Sequence, residues 1–305
     1  MATLKGQNFR LLTYDAQADT YNVIAQSTNC TITLTNNTDD ASHKDVVGLA
    51  AMPTVTSKSW QVQCESLNVT DAATMLAAIK SLTPFTLIWD ETATADNQTG
   101  QHAAVARTGQ AFLSDVTFQW DDRTNSTKQL QFTGTGAITN APTGYPTAVI
   151  PVSNTFTKGQ FVRLFLGSDN TAVPATVVAY AKTLSLHVSM TMENATTKDT
   201  TGDWEVQEPT ALNYDITTGA LMRSGDNITS QVGGKTVADI EAIYQAGTPI
   251  KFQIANVSGD NQRTKGTVIV GGSVVLTQLQ LNGPNRQNAD YQATLNGFGA
   301  YELSA

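Results

Sequence analysis

The chain has 305 residues, 40% of them apolar and only 14% charged, with a formal net charge of −8. That length allows two domains of ordinary size, and normal apolar content with moderate charge speaks against a disordered chain. The acidic excess is shared, with 8 Lys+Arg against 13 Asp+Glu in residues 1–150 and 10 against 13 in 151–305. No basic stripe is left to neutralise phosphates, which argues against tight nucleic-acid binding.

The opening residues lack the apolar region of a secretory signal, and no run of about 18 apolar residues occurs, so neither export nor a membrane span is expected. A first strand is expected over 8–14, then a polar turn at 15–19. The clearest alternation comes next: Cys30, Ile32 and Leu34 share one face, Thr31, Thr33 and Thr35 the other, the period of a strand with one buried side. Residues 36–58 read as a long polar loop. Alternation resumes at Trp60, Val62 and Cys64. A helix is expected from a cap at Thr70 or Asp71 to about Leu82, with Ala72, Met75, Leu76 and Ile79 on one face. Strands are expected at 85–89, 109–113, 116–120 and 129–133, with Asp121-Asp122-Arg123 as a hairpin turn. The run closes on Gly134-Thr135-Gly136.

The chain then starts over. Lys158-Gly159-Gln160-Phe161-Val162-Arg163 echoes Lys5-Gly6-Gln7-Asn8-Phe9-Arg10, and the later elements of the first half recur in the same order. A strand is expected at 161–166. Leu184, Leu186, Val188, Met190 and Met192 alternate, and 193–211 reads as a second long polar loop carrying Lys198-Asp199 where the first carries Lys44-Asp45. Leu212, Tyr214 and Ile216 alternate next. Thr236-x-x-Asp239 has the form of a capping box, ahead of a stripe of Ile240, Ile243 and Tyr244 that Gly247 and Pro249 end. Strands at 250–254, 266–270, 274–281 and 291–295 lead to Gly297-Phe298-Gly299. An insertion between Met222 and Lys235 has no counterpart in the first repeat. The domains are therefore 1–139 and 157–305, joined by a Pro-rich connector at 140–156 that disfavours helix and central strand.

No constellation of residues points to an enzyme, a metal site or a cofactor. His43 and His102 fall in polar loops and His187 on the polar side of a strand, none with a ligand partner at metal-binding spacing. Asp39, Asp40 and Asp45 lack the spacing of a calcium loop. Gly233-Gly234-Lys235-Thr236 lacks the first glycine of a phosphate loop. Cys30 and Cys64 read as small core residues opposite Leu184 and Ile216, with a disulfide open only if their strands are neighbours. Trp60, Trp89 and Trp120 belong to strands, whereas Trp204, flanked by Asp203 and Glu205 in a polar loop, reads as an exposed docking anchor.

This order of elements resembles the major tail tube proteins of tailed bacteriophages, whose fold is similar to that of the type VI secretion tube protein. The resemblance rests on the opening strands, on Thr31–Thr35 and Leu184–Met192 with their loops, on the helices near 71–82 and 237–246, and on the strand-rich ends. It implies a mainly β protein of two tandem β-sandwich or barrel domains, each with one flanking helix. It implies a virion structural protein of the tail, assembled in the host cytoplasm. Three chains would form a pseudo-hexameric ring, and stacked rings a tube whose acidic, Thr-rich lumen passes DNA. Other tail proteins (tape measure, terminator, baseplate) would be partners, and no membrane would be. The long loops then become ring-to-ring contacts through Asp39, Asp40, His43, Lys44, Asp45, Glu193, Lys198, Asp199, Asp203, Trp204 and Glu205. Deleting 193–206 is expected to leave a folded protein that does not polymerise. The alternatives are another ring of the tail (terminator, hub or baseplate) and a two-domain β-sandwich adhesin or carbohydrate-binding module.

Overall fold

The computed structural model describes residues 9–15, 20–23, 27–43, 45, 51–67, 72–91, 106–140, 157–222, 234–258 and 264–303. The first half supplies β1 (Phe9–Asp15), β2 (Thr20–Val23), β3 (Ser27–Asp40), β4 (Pro53–Leu67), α1 (Ala72–Lys80), β5 (Phe85–Glu91), β6 (Ala106–Gln119) and β7 (Thr127–Asn140). After a 3-10 turn at Gly159–Phe161, the second half supplies β8 (Val162–Leu166), β9 (Thr176–Val177), β10 (Ala181–Asn194), β11 (Gln207–Leu221), α2 (Val237–Ala246), β12 (Ile250–Ser258), β13 (Thr264–Asn282), β14 (Asp290–Gly297) and β15 (Glu302–Leu303).

These strands form one open, branched sheet in the order β2-β1-β5-β6-β10-β11-β14-β13-β12-β8-β9. β15 pairs with β13, and β7, β4 and β3 branch from β6. The expected sandwich or barrel is thus replaced, among the described residues, by a sheet that has not closed. Its paired strands run antiparallel throughout. Alternation sets the buried face: Trp60, Val62 and Cys64 on β4, and Leu184, Leu186, Val188 and Met190 on β10, face one hydrophobic cluster that draws residues from both halves. Each large side chain so buried contributes about 1.5–3 kcal/mol.

Three strand expectations need correction. The polar loops are partly strand. β3 runs to Asp40 and β4 starts at Pro53, while β10 runs to Asn194 and β11 starts at Gln207. The added length is exposed on both faces, as at residues 51–56, so it carries no apolar alternation to read. The strands expected at 109–113 and 116–120 are one strand, β6, with a bulge between Leu113 and Asp115, and 266–281 is likewise within β13, with a bulge between Leu276 and Gln278. A bulge shifts the alternation by one residue, which a period-two reading takes for a break. The match between β4 and β11 also slips. Trp60 stands over Gly109 and Gly134, and Tyr214, not Leu212, stands over Gly272 and Gly297 in the same way. A Cβ on Gly134 would come within 2.1 Å of the Trp60 ring, so the aromatic dictates both glycines. On the ladders, Cys30 pairs with Cys64 as Leu184 pairs with Thr218, not with Ile216. No disulfide joins the two. The hydrogen bond to Cys64, then burial, pushes the Cys30 thiol well above its ordinary pKa.

The helices sit on the buried face. Ala72, Leu76 and Ile79 of α1 are buried, while the expected caps at 70 and 71 fall outside the described residues. α2 has its capping box, with the Thr236 backbone N–H donating to Asp239 Oδ2 at 2.7 Å. Gly247 ends it at φ 59°, and Leu82 follows α1 at φ 54°. The expected apolar stripe is only partly used: Ile240 is buried, but Tyr244 is exposed. α1 reaches across to the second half, where Lys80 Nζ donates to the Tyr301 carbonyl at 2.9 Å and Tyr301 OH to the Leu76 carbonyl at 2.6 Å.

Candidate assembly interface

The two halves are joined by strand pairing. On β6 and β10, Asp115 to Gln119 run opposite Ser189 to Ser185. The ladder continues past the strand end, with Trp120 N–H donating to the Leu184 carbonyl and Asp122 N–H to the Lys182 carbonyl, both at 2.8 Å. Val116, Phe118, Leu186 and Val188 are at most 1% exposed along this seam. Asp121-Asp122-Arg123 forms the expected turn, with Arg123 at φ 61°. Gly159 of the repeated triplet packs onto it so closely that a Cβ would lie 2.2 Å from the Asp121 carbonyl oxygen. Pairing of this kind removes an exposed strand edge from solvent.

On the seam's polar face, one imidazole sits between two carboxylates. His187 lies opposite Asp215 on β11, and its Nδ1 is 2.8 Å from Asp215 Oδ1. Its Nε2 is 2.7 Å from Asp115 Oδ2, across the seam. Hydrogen bonds to Asp115 and then Asp215 outweigh partial burial and push the His187 pKa up to about 10. The doubly protonated ring donates to both acids, linking β6, β10 and β11. Both nitrogens are occupied, so this arrangement holds strands together and offers no lone pair to a metal or a substrate. Local spacing cannot find it, because the carboxylates stand far away in the chain. A usable signal was a histidine and an acid on the polar sides of two adjoining strands otherwise lined by Ser, Thr and Asn.

A second contact comes from the β10–β11 connection. Lys58 N–H donates to the Asp203 carbonyl at 2.7 Å and Glu205 N–H to the Lys58 carbonyl at 2.9 Å. Gly136 N–H donates to the Glu205 carbonyl at 2.8 Å. The Glu205 carboxylate accepts from Ser57 Oγ at 2.7 Å and Asn37 Nδ2 at 2.8 Å, and Lys58 Nζ pairs with Asp203 at 3.1 Å. Trp204 is half-buried against the core, which corrects its reading as an exposed anchor: its neighbours on β4 and β7 lie far off in sequence.

The other expected contact residues are scattered around this. Asp39, Asp40, His43 and Asp45 are exposed on the tip of the β3–β4 hairpin, and Lys44 falls outside the described residues. Asp40 accepts from Ser42 and Met52, which holds its carboxyl below the usual range. Glu193, Lys198 and Asp199 are exposed on the tip of the β10–β11 hairpin. Asp203, Trp204 and Glu205 instead meet the first half of their own chain. His102, the connector at 141–156 and the insertion at 223–233 lie outside the described residues. No described helix is long and apolar enough to cross a membrane.

Besides the short end strands β2 and β9, two longer edges are unpaired along the described sheet. β3 pairs with β4 alone, and β13 beyond Val274 pairs with β14 alone. Leu34 on the first is 57% exposed and Leu281 on the second 46%.

An antiparallel sheet with long hairpin arms, polar tips and apolar unpaired edges offers edges to which further strands can add. Residues 158–303 match the family described as phage tail tube protein. The match spans the second half of the chain, which is thus similar to the structural proteins of the phage tail tube. Among solved structures, the chain is similar to the tail of an empty gene transfer agent particle (15% identity, TM-score 0.37, covering 49% of this chain and 99% of that one). It is also similar to the tail tube of SPP1 (16% identity, TM-score 0.33, 48% of this chain and 78% of that one). No curated protein matches it.

Proposed function

We propose that the chain carries two tube domains in tandem and that three chains close a ring of six such domains. Rings then stack into the tube through which DNA passes. The supporting observation is that both halves repeat one set of special positions in the same order. Trp60 over Gly109 and Gly134 is matched by Tyr214 over Gly272 and Gly297. Arg123 at φ 61° is matched by Arg286 at 62°, Leu82 at 54° by Gly247 at 59°, and Gly136 at 73° by Gly299 at 76°. Positive φ at a side-chain-bearing residue is uncommon, so its recurrence at matching places supports a shared ancestor fold.

In this reading the protein acts by assembly and not by catalysis. The exposed hairpin tips, with Asp39, Asp40, His43, Asp45, Glu193, Lys198 and Asp199, are the ring-to-ring contacts, Lys44 is assigned with them by its place in the sequence, and 203–205 serve within the chain. The tape measure, terminator and baseplate proteins would cap or fill the tube. Negative-stain microscopy of the purified protein should show tubes or rings with a central hole, and native mass measurement three chains per ring. Six full chains per ring would sink the tandem count; compact monomers that bind glycans would favour an adhesin instead.

A further inference from the structure

The joined seam has a counterpart that the single chain leaves open, on both of its outer edges. Superposing the halves by their matched positions places β3 where β10 stands and the end of β13 where the end of β6 stands. Ile32 takes the place of Leu186 and Leu34 that of Val188, by the ladders Ile32–Val62 and Leu186–Ile216. Beyond the shared bulge, Gln278, Leu279, Gln280 and Leu281 take the places of Asp115, Val116, Thr117 and Phe118. The residues buried in the seam thus have apolar equivalents that lie bare or half-bare.

Two more features obey the same correspondence. Where 203–205 cover Lys58, Trp60 and Gly136 in the first half, the second half has an open cavity of about 590 Å³. Leu212, Tyr214, Gly297, Gly299 and Tyr301 are among its lining residues. Ile79 on α1 is fully buried, whereas Tyr244, at the matching place on α2, is 49% exposed.

We infer that β3 of a second chain adds antiparallel to the end of β13, in the register Leu281↔Ile32, Gln280↔Thr33 and Leu279↔Leu34. The inference rests on the tandem reading and deepens it. The occupant is another copy of this chain, because the missing strand has the register and apolar spacing of β10, and among the described residues β3 carries both with its outer edge unpaired. Pairing there brings the ends of β3 and β4 of the incoming chain, at Asp40 and Pro53, to the side of the cavity, as the ends of β10 and β11 flank the segment that meets Lys58 and Gly136. Buried pairs Leu281/Ile32 and Leu279/Leu34 then replace Phe118/Leu186 and Val116/Val188. The polar face differs: Thr33, Gln61 and Gln278 stand where His187, Asp215 and Asp115 stand, so this contact holds without the ionic link and should tolerate salt.

The test is oxidative cross-linking of assembled protein in a background with Cys30→Ala and Cys64→Ala. Ile32→Cys with Leu281→Cys should give intermolecular cross-links within assembled rings, and the off-register pair Thr35→Cys with Leu281→Cys should give none. Rings or tubes that form without the first cross-link, or with only the second, overturn the register while leaving the tube reading intact. In-register cross-links that close at six chains keep the strand pairing and remove the three-chain count. Leu281→Lys is the independent variant, since Leu281 is 46% exposed in the free chain. It should keep the melting temperature of the free chain and raise the concentration needed for assembly by about tenfold or more, since a lysine cannot be buried unpaired at the seam. Assembly at the unmodified concentration overturns the inference.

Discussion

β6 meets β10 within the chain, and β13 and β3 face outward, yet the four strands are built alike. The first pair buries Val116, Phe118, Leu186 and Val188 and adds a charged link through His187. The second pair leaves Leu34 and Leu281 in water and carries Thr33, Gln61 and Gln278 at the places of the charged link. A permanent junction and one that must form between chains therefore share their apolar spacing but differ in electrostatics. The charged link suits a junction made once during folding. A neutral one suits repeated docking, because no carboxylate has to be desolvated as chains meet.

The likeness of the two junctions breaks first if the two halves do not fold around equivalent aromatics. Trp60→Ala should cost about 3–5 kcal/mol, because it empties the groove over Gly109 and Gly134, and Tyr214→Ala a similar amount. Guanidinium unfolding followed by fluorescence reads both. A cost below about 1 kcal/mol for either would mean that its glycine pair is not a structural site at all.

The charged link can be sharpened by pH. The His187 pKa is raised in the folded chain to about 10 from an ordinary 6.5. Its contribution is therefore complete below pH 6.5 and is lost as pH rises towards 10. A shift of that size would be worth near 5 kcal/mol if the ring were fully buried. The ring is about a third exposed, so solvent screens it and about 1–2 kcal/mol is expected. Wild type should lose that much between pH 6.5 and 10, while His187→Gln should start lower and stay flat across the window. Equal pH dependence in both would remove the ring from the seam's energetics. The clasp at Lys58 and Glu205 is smaller: Glu205→Ala should cost about 1 kcal/mol, since its carboxylate is half-exposed and its partners can turn to water.

What could be read from the chain was what periodicity and punctuation encode. The alternating strands, the two helices and the Asp121–Arg123 turn all showed. The hairpin arms did not, because residues 51–56 and 36–40 are exposed on both faces and nothing in their composition marks a ladder. The β6 and β13 bulges reversed the alternation within single strands. The seam's chemistry was hidden for a different reason. Asp115, His187 and Asp215 are distant in sequence, and only the register of three strands brings them within 2.8 Å. Trp204 was misjudged in the same way, since the surface that shelters it belongs to the other half.

The smallest expected effect concerns how each helix ends. Gly247 closes α2 at φ 59°, a left-handed conformation that suits glycine, and Leu82 takes φ 54° after α1. A side chain there costs about 1–2 kcal/mol of local strain. Leu82 is also 45% exposed, so little packing is lost when it is removed. Leu82→Gly should therefore relieve the strain, less roughly 0.5–1 kcal/mol for the greater freedom of glycine in the unfolded chain. The net is a gain of about 0.5 kcal/mol, seen as a small rise in melting temperature. Gly247→Leu makes the reverse change at the matching place and should lose a similar amount. If Leu82→Gly destabilises instead, the Leu82 side chain has a packing role that the free chain does not show, and the two helix ends are not equivalent.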